Sequence, residues 1–194
     1  MSNVEIKYLV YVNCINLIKF RGFTPIKELT KDEFFKSNDE YIYVTSPEVV
    51  MIMFTDLVTS IVTAKIKTLI ARSTSSQTVQ EVILVTDTPK YTKLQSAVKL
   101  INSAKLFKPL ISVMNNTALR FNMPTHINFI KYEKISQDEL TIFENTEHHN
   151  REQFPKVEFD DVNIRWYGFK SRDFVKAYQP SVNCGISITY KMVL

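Results

Sequence analysis

Residues 154–194 read FPKVEFDDVNIRWYGFKSRDFVKAYQPSVNCGISITYKMVL and contain the only tryptophan and two of the three glycines of the chain. Within the last nine residues, ISITYKMVL, apolar side chains recur at every second position. Such a set lies on one side of an extended chain, which is the period of two that a β-strand has. The pattern predicts a strand over residues 186–194, paired with a strand over residues 173–179 across a turn at residues 180–185.

The centre of this stretch predicts a short helix. Asp160 and Asp161 precede it, where carboxylates cap and complement a helix N-terminus. Gly168 ends it in a left-handed conformation that costs a residue with a Cβ about 1 kcal/mol or more. Aromatic and basic side chains surround this glycine, and such residues form cores as well as interfaces. Both interpretations stay open for Arg165, Trp166, Tyr167, Phe169 and Lys170.

The N-terminal part of the chain alternates strands and helices. The periodicity predicts strands over residues 49–54, 81–86 and 110–113 and helices over residues 57–71 and 88–104. This alternation is typical of an α/β domain with crossover helices.

Several local signals mark where helices begin and end. An earlier helix is predicted over residues 5–20, with Gly22 as its left-handed C-cap. Two capping boxes predict helix starts, one formed by Thr30 with Glu33 and the other by Ser136 with Glu139.

The length of 194 residues allows one large domain or two small ones. The sequence changes in character after residue 116, and we predict a domain boundary between residues 119 and 120. Charged residues interrupt the apolar start of the chain at Lys7 and Lys19, so no membrane-spanning segment is expected. Cys14 and Cys184 are interpreted as reduced thiols of an intracellular protein.

The net charge is +4, and its basic excess is concentrated in residues 57–108. This segment has two acidic residues against eight basic ones, which are Lys65, Lys67, Arg72, Lys90, Lys93, Lys99, Lys105 and Lys108. A segment of this kind either contacts phosphates or is a solvated lysine face, and the sequence leaves both open.

The motifs of common enzymes are missing from the sequence. The three glycines are far apart, so neither a phosphate-binding loop nor a dinucleotide fingerprint can be built. A metal site drawing on His148, His149, Glu144 and Glu147 is disfavoured because adjacent histidines point apart on a helix or strand. We therefore expect no enzyme activity, no cofactor, no metal and no small-molecule substrate.

The C-terminal stretch resembles the assembly domain of the shared fifth subunit of eukaryotic RNA polymerases, a family that also has archaeal members. The family pattern LPRI corresponds to FPKV at residues 154–157, and DPVARYYGLK corresponds to Asp161 with RWYGFK at residues 165–170. The match continues through VK at residues 175–176, then Pro180, Ser181, Gly185 and Tyr190. Upstream, MPTH at residues 123–126 is similar to the family's VPxH.

The resemblance is looser in the N-terminal part. RGF at residues 21–23 is similar to an RGY of the eukaryotic jaw domain, and Thr88, Pro89 and Lys93 are similar to its T-P-x-x-x-K. The resemblance implies an α/β jaw domain with a mixed sheet over residues 1–119. It also implies a small α+β assembly domain over residues 120–194 that ends in a β-hairpin.

The same resemblance implies a non-catalytic subunit of a DNA-directed RNA polymerase. Its C-terminal domain would dock on the largest subunit and contact other subunits, and its jaw would approach downstream duplex DNA without sequence preference. The partner-binding residues that it implies are Pro155, Arg165, Trp166, Tyr167, Gly168, Phe169, Lys170, Val175, Lys176 and Tyr190. The DNA-proximal residues are Thr88, Pro89, Lys90 and Lys93. The expected location is the nucleus for a cellular protein, and a cytoplasmic viral factory or virion for one from a large DNA virus.

The chain departs from the family pattern at Val162, Arg172, Val182 and Ile186. Arg172 replaces a turn glycine, so we expect that turn to adopt another geometry. Val162 replaces the family's proline after the aspartate, so we expect a looser start of the helix. The family's acid is lost at Val182 and its arginine at Ile186, which puts in doubt the contacts made through those two side chains.

Two alternatives stay open. One is a free-standing nucleic-acid-binding regulator of transcription. The other is a nuclease-like enzyme whose candidate metal ligands are Glu48, Asp56, Glu81 and Asp87.

Overall fold

The computed structural model describes residues 3–25, 27–36, 42–43, 45–46, 49–54, 79–86, 88–105, 110–147 and 151–194. The chain divides into two compact units, Met1–Asn122 (unit 1) and Met123–Leu194 (unit 2). The helix predicted over residues 57–71 lies outside the described residues.

Unit 1 contains three α-helices, one short 3-10 helix (Ala118–Arg120) and six strands within the described residues. The helices are α1 (Asn3–Phe20), α2 (Lys31–Lys36) and α3 (Thr88–Ser103). The strands are β1 (Thr24–Pro25), β2 (Ile42–Tyr43), β3 (Thr45–Ser46), β4 (Val49–Phe54), β5 (Val79–Thr86) and β6 (Leu110–Asn115).

The main sheet of unit 1 is mixed and has the order β2-β4-β5-β6. Strands β4, β5 and β6 are parallel, and β2 is antiparallel to β4. Strands β1 and β3 form a separate antiparallel pair. The strands predicted over residues 49–54, 81–86 and 110–113 are confirmed, and so is the helix between the last two.

Helix α1 ends in the glycine motif that the sequence predicts. Gly22 has a φ of +83°. Its amide donates to the carbonyl of Lys19 at 3.0 Å, and the amide of Phe23 donates to the carbonyl of Ile18 at 3.1 Å. Together these bonds make a Schellman motif, which satisfies carbonyls that the helix itself cannot pair.

Helix α3 packs on strand β6. Leu94, Val98 and Ile101 are buried at three- and four-residue spacing, as predicted. The side-chain amide of Asn102 donates to the carbonyl of Ile111 at 2.7 Å, and its oxygen accepts from the amide of Ile111 at 3.2 Å. The end of the helix is therefore fixed to the start of the strand.

A largely buried ion pair fastens the end of α1 to the sheet of unit 1. Nη1 of Arg21 lies 2.8 Å from Oε2 of Glu81, and the two side chains are 7% and 19% exposed. The hydroxyl of Ser112 donates to the other carboxylate oxygen at 3.0 Å. Both oxygens of Glu81 are thus engaged by its own unit.

Unit 2 is built on a four-stranded sheet with the order β7-β9-β10-β8. Its strands are β7 (Lys131–Lys134), β8 (Lys156–Val157), β9 (Phe174–Ser181) and β10 (Gly185–Val193). Its α-helices are α4 (Gln137–Glu147) and α5 (Val162–Tyr167), and two short 3-10 helices span Met123–Thr125 and Arg151–Gln153. Strand β9 is antiparallel to both β7 and β10, whereas β8 is parallel to β10. The predicted C-terminal hairpin is confirmed.

Each face of this sheet carries one helix. On the α4 face, the core consists of Ile135, Leu140, Phe154 and Phe174, with Phe143, Tyr190 and Met192 packed against it. On the α5 face, the core consists of Tyr132, Ile164, Val175, Ala177 and Val193. Alternate residues of β9 and β10 therefore serve opposite cores, as a period of two requires.

Helix α5 begins and ends as predicted. The Oδ1 atom of Asp161 accepts from the amides of Asn163 at 2.8 Å and Ile164 at 3.3 Å. Gly168 follows the last helical residue with a φ of +72°. The helix starts at Val162 despite the loss of the family's proline there.

One capping box forms completely and the other only in part. The amide of Thr30 donates to the carboxylate of Glu33 at 2.9 Å, and the hydroxyl of Thr30 accepts from the amide of Glu33 at 3.4 Å. At α4, the hydroxyl of Ser136 accepts from the amide of Glu139 at 3.2 Å. The carboxylate of Glu139 forms an ion pair with Lys176 of strand β9.

The expectation that Arg172 changes the turn before β9 was wrong. Arg172 has a φ of +71°, which is the left-handed conformation that glycine favours. Its amide donates to the carbonyl of Val193 at 2.7 Å, and the amide of Val193 donates to the carbonyl of Asp173 at 2.9 Å. These two bonds to the end of β10 hold the backbone in place although the glycine is gone.

Candidate partner-binding surface

The residues predicted to bind a partner lie on both faces of the unit 2 sheet. Lys176 and Tyr190 are cross-strand neighbours on the α4 face. Val175, Tyr167 and Phe169 belong to the α5 face. The structure therefore divides the predicted set into two surfaces instead of gathering it into one.

An aromatic stack formed by Phe129, Tyr167 and Phe169 covers part of the α5 face. The rings of Phe129 and Tyr167 are 5.6 Å apart at 13°, and those of Tyr167 and Phe169 are 5.1 Å apart at 2°. The hydroxyl of Tyr167 accepts from the amide of Tyr132 at 3.0 Å, which fixes the middle ring. All three side chains are only partly buried. Sequence reasoning missed Phe129, which lies 38 positions before Tyr167, because no local pattern links the two.

Three of the predicted contact residues are buried in the free chain. Trp166 and Val175 have no exposed surface, and Arg165 is nearly buried. The guanidinium of Arg165 pairs with Asp160 and lies 5.6 Å from the ring centre of Phe159. Here these side chains support the fold around helix α5, and their direct contact with a partner stays a prediction.

A groove on the α4 face has a volume of about 230 Å³. Its lining consists of Phe143, Gln153, Phe154, Pro155, Ile188, Thr189 and Tyr190. The ring of Tyr190 lies 4.4 Å from that of Phe143, measured between centroids. The groove is thus walled mostly by apolar and aromatic carbon, which suits an apolar side chain.

The apolar face of β10 is covered only at its C-terminal end. Tyr190 and Met192 pack under helix α4, whereas Ile188 is 52% exposed and Ile186 is 63% exposed. Val182, in the hairpin turn, is fully exposed. Contiguous exposed apolar side chains of this kind mark interaction surfaces. The alternation predicted one apolar face for the strand but gave no sign that half of it is uncovered.

Next to these side chains, strands β7 and β9 carry a polar cluster. The hydroxyl of Tyr178 donates to Oε2 of Glu133 at 2.5 Å, and Lys131 lies 3.0 Å from the other oxygen. These two hydrogen bonds lower the pKa of Glu133, and the bond to Glu133 raises the pKa of Tyr178. On the other face, burial raises the pKa of Tyr132 to about 12. These shifts move the pKa of each group further from neutral pH, whereas a general acid or base needs a pKa near the working pH.

The predicted DNA-proximal residues lie at the start of α3. Thr88, Pro89 and Lys90 belong to its first turn, and their side chains lie outside the described part of the structure. Lys93 follows one turn later and is exposed. The first turn has no acidic residue, so no carboxylate within that turn neutralises the positive end of the helix dipole.

The described residues offer little to the nuclease alternative. Glu81 is engaged by Arg21 and Ser112, while Glu48, Asp56 and Asp87 lie outside the described residues. No group of three His, Cys, Asp or Glu side chains among the described residues could hold a metal ion. A membrane-spanning helix is also missing from the part of the chain that the structure describes.

The C-terminal part of the chain matches a known protein family. Residues 121–193 match the family described as RNA polymerase Rpb5, C-terminal domain. Comparison with curated proteins gives no match. The matched span coincides almost completely with unit 2, so the two faces, the groove and the aromatic stack all lie within it.

Unit 2 therefore belongs to the Rpb5 C-terminal domain family, and the resemblance to the shared fifth subunit is confirmed over residues 121–193. This domain family indicates an RNA polymerase subunit generally, and it implies association with other polymerase subunits. The matched span leaves out residues 1–120, and the identity of unit 1 as a jaw stays a prediction.

Proposed function

We propose that this chain is a non-catalytic subunit that docks on the largest subunit of a DNA-directed RNA polymerase through unit 2. The family match over residues 121–193 is the observation that carries this proposal. The exposed apolar end of β10 and the aromatic stack support it, because aromatic and apolar anchors contribute most to the affinity of interfaces.

Unit 1 has the second role in this proposal, which is to approach downstream duplex DNA with the start of α3. The exposed and positively charged side chain of Lys93 favours contact with a phosphate. Contacts of this kind are made to the backbone and carry no sequence preference. A few lysines would give a shallow dependence of binding on salt.

A test of docking needs a variant that leaves the fold intact. Trp166→Ala and Gly168→Val are the substitutions that the sequence first suggests. Trp166→Ala removes a fully buried side chain, and Gly168→Val places a β-branched residue at a φ of +72°. Both substitutions therefore test folding as well as docking. Lys170 is exposed and belongs to the predicted set, and Lys27 in unit 1 is an exposed control outside it.

The experiment compares tagged full-length chains that carry Lys170→Glu or Lys27→Glu in the native source. We expect Lys170→Glu to reduce the recovery of the largest subunit about ten-fold, as the loss of an interface charge can. Lys27→Glu should have no effect. Quantitative mass spectrometry of the purified complex measures the ratio. A wild-type chain that never co-purifies with polymerase subunits would refute the proposal and favour the free-standing regulator.

The DNA contact is tested by placing a photocrosslinker at position 93 of the chain within a transcribing complex. A crosslink to downstream duplex that is independent of sequence supports the contact, whereas its consistent absence refutes it. The place of action follows from the partner: the nucleus if the polymerase is cellular, and a cytoplasmic viral factory or the virion if it is viral.

A further inference from the structure

Strand β10 has an open backbone edge over most of its length. On one side it pairs with β9 from Gly185 to Met192. On the other side β8 pairs with only Met192 and Val193. The amides of Met192 and Leu194 donate toward β8, to Pro155 and Val157, both at 2.9 Å.

The direction of the remaining backbone groups follows from this pattern. Because hydrogen-bonding groups alternate along a strand, the N–H and C=O groups of Ile188 and Tyr190 point the same way as the amide of Met192. That direction is away from β9. Among the described residues, these groups have no strand beside them. A sheet edge of this kind is a template for another extended chain.

Proline explains why β8 begins no earlier than Lys156. In a parallel ladder that continued from Met192 and Lys156, the amide of residue 155 would donate to the carbonyl of Tyr190. Pro155 has no N–H group, so this bond cannot form. The chain's own strand therefore stops at this point and leaves the edge open from Tyr190 back to Ile186.

Apolar side chains border this open edge. Ile186 and Ile188 are exposed along it, and the groove of about 230 Å³ begins beside Ile188, Thr189 and Tyr190. A cavity of about 150 Å³ accepts benzene, so the groove is large enough for an aromatic side chain. It is smaller than the roughly 300–1,000 Å³ that is typical of small-molecule sites.

We propose that the β10 edge, Ile186 to Tyr190, binds an extended segment of another polymerase subunit by strand addition, with a large apolar side chain of that segment in the groove. This inference rests on the proposed function and specifies how unit 2 meets its partner. Main-chain hydrogen bonds would supply affinity, and the groove would select the side chain.

The occupant is another polypeptide and not a second copy of this chain. A second copy that paired through the same edge would offer the isoleucines of its own β10, which are shorter than an aromatic side chain. Its Tyr190 is already packed against Phe143, with 4.4 Å between the ring centroids. Self-pairing therefore leaves part of the groove unfilled.

Hydrogen–deuterium exchange on the full-length chain tests the proposal at single amides. In the isolated chain, the amide of Thr189 faces β9 and is protected, whereas the amides of Ile188 and Tyr190 face the open edge and exchange quickly. In the purified polymerase, the amides of Ile188 and Tyr190 should exchange at least about ten-fold more slowly. Unchanged rates at both amides within an intact complex would overturn the inference.

A pair of substitutions separates the backbone from the side chain. Ile188→Pro removes the outward N–H group, whereas Ile188→Thr removes the same apolar side chain and keeps that group. We expect the proline variant to bind the polymerase at least about five-fold more weakly than the threonine variant, the effect of one hydrogen bond of about 1 kcal/mol. Equal binding of two folded variants would exclude strand addition. The exchange measurement on the wild-type chain decides the matter if the proline variant fails to fold.

The failures of the two proposals are distinguishable. A chain that never enters the polymerase refutes the proposed function. A chain that enters the polymerase while its β10 amides stay unprotected refutes only strand addition. Protection that rises with the concentration of the isolated chain, together with a dimer in light scattering, would assign the edge to a second copy and overturn the choice of occupant.

Discussion

Replacing Arg172 by glycine should stabilise unit 2, although most substitutions destabilise a protein. Arg172 has a φ of +71° in the turn that leads into β9, and its side chain is exposed. The substitution keeps the amide that donates to the carbonyl of Val193 at 2.7 Å. It therefore changes the backbone preference of one residue and leaves the hydrogen bonds of the turn in place.

The magnitude follows from two opposing terms. A left-handed backbone costs a residue with a Cβ roughly 1–2 kcal/mol, and this strain is relieved in the glycine variant. Glycine has more conformational freedom than arginine in the unfolded chain, and this reduces the gain by about 0.4–1 kcal/mol. The net gain in the free energy of unfolding lies between about 0 and 1.6 kcal/mol, with a midpoint of about 0.8 kcal/mol. The neighbouring exposed Ser171 lacks a positive φ, so Ser171→Gly should lose about 0.4–1 kcal/mol.

Denaturant unfolding of the full-length chain measures both variants. Trp166 is the only tryptophan and is fully buried in helix α5, so its fluorescence reports the unfolding of unit 2. The midpoint should rise for Arg172→Gly and fall for Ser171→Gly. A fall of similar size in both variants would show that position 172 is not left-handed, and the reasoning would be refuted.

Other substitutions and reagents test the packing of each unit. Trp166→Ala should lower the free energy of unfolding by about 3–5 kcal/mol, the usual range for a buried aromatic side chain. Thermal unfolding followed by circular dichroism measures this loss, and a loss under about 1 kcal/mol would contradict the burial of Trp166. Arg21→Met should cost about 3 kcal/mol because it leaves the carboxylate of Glu81 buried without its cation, and a double-mutant cycle with Glu81→Gln should recover most of that loss. A thiol reagent should label Cys184 alone in the native chain and Cys14 only after unfolding, because Cys14 is buried and burial raises its pKa. Rapid native labelling of both thiols would contradict the packing of α1.

Signals that act over a few residues were readable from the sequence. The Schellman end of α1 at Gly22 and the cap of α5 at Asp161 each involve atoms within about one helical turn. The second capping box shows where such reasoning ends. Glu139 had the right spacing from Ser136, yet its carboxylate pairs with Lys176, which lies on another strand. No local pattern could have revealed that competitor.

The prediction that Arg172 changes the geometry of its turn was wrong for a related reason. A turn glycine replaced by arginine suggests a changed turn, since the residue type sets the local preference. In the structure, the paired bonds between this turn and Val193 override that preference. A preference of about 1 kcal/mol is small beside the cooperative pairing of a whole hairpin, so tertiary structure decided the geometry.

The candidate surface was harder to predict than the fold. Aromatic residues around Gly168 pointed to an interface, but Trp166 is buried while Tyr167 and Phe169 are partly accessible. Their exposure depends on how α5 is rotated against the sheet, and residue type carries no information about that rotation. The family pattern points to residues 165–170 as a group, and it does not separate the residues that support the fold from those that face outward.

Strand β10 shows both what its sequence predicts and what it leaves undetermined. Its alternation correctly predicted two faces, but a period of two is the same whether a strand lies in the middle of a sheet or at an open edge. What distinguishes the two cases here is Pro155, 30 residues before the start of β10 in sequence and adjacent to it in the sheet. Because this proline limits β8 at its N-terminal end, the edge of β10 stays open, and that edge lies beside the apolar groove wall formed by Phe143 and Tyr190. Under our proposal of strand addition, the incomplete sheet of unit 2 receives its missing strand from a partner.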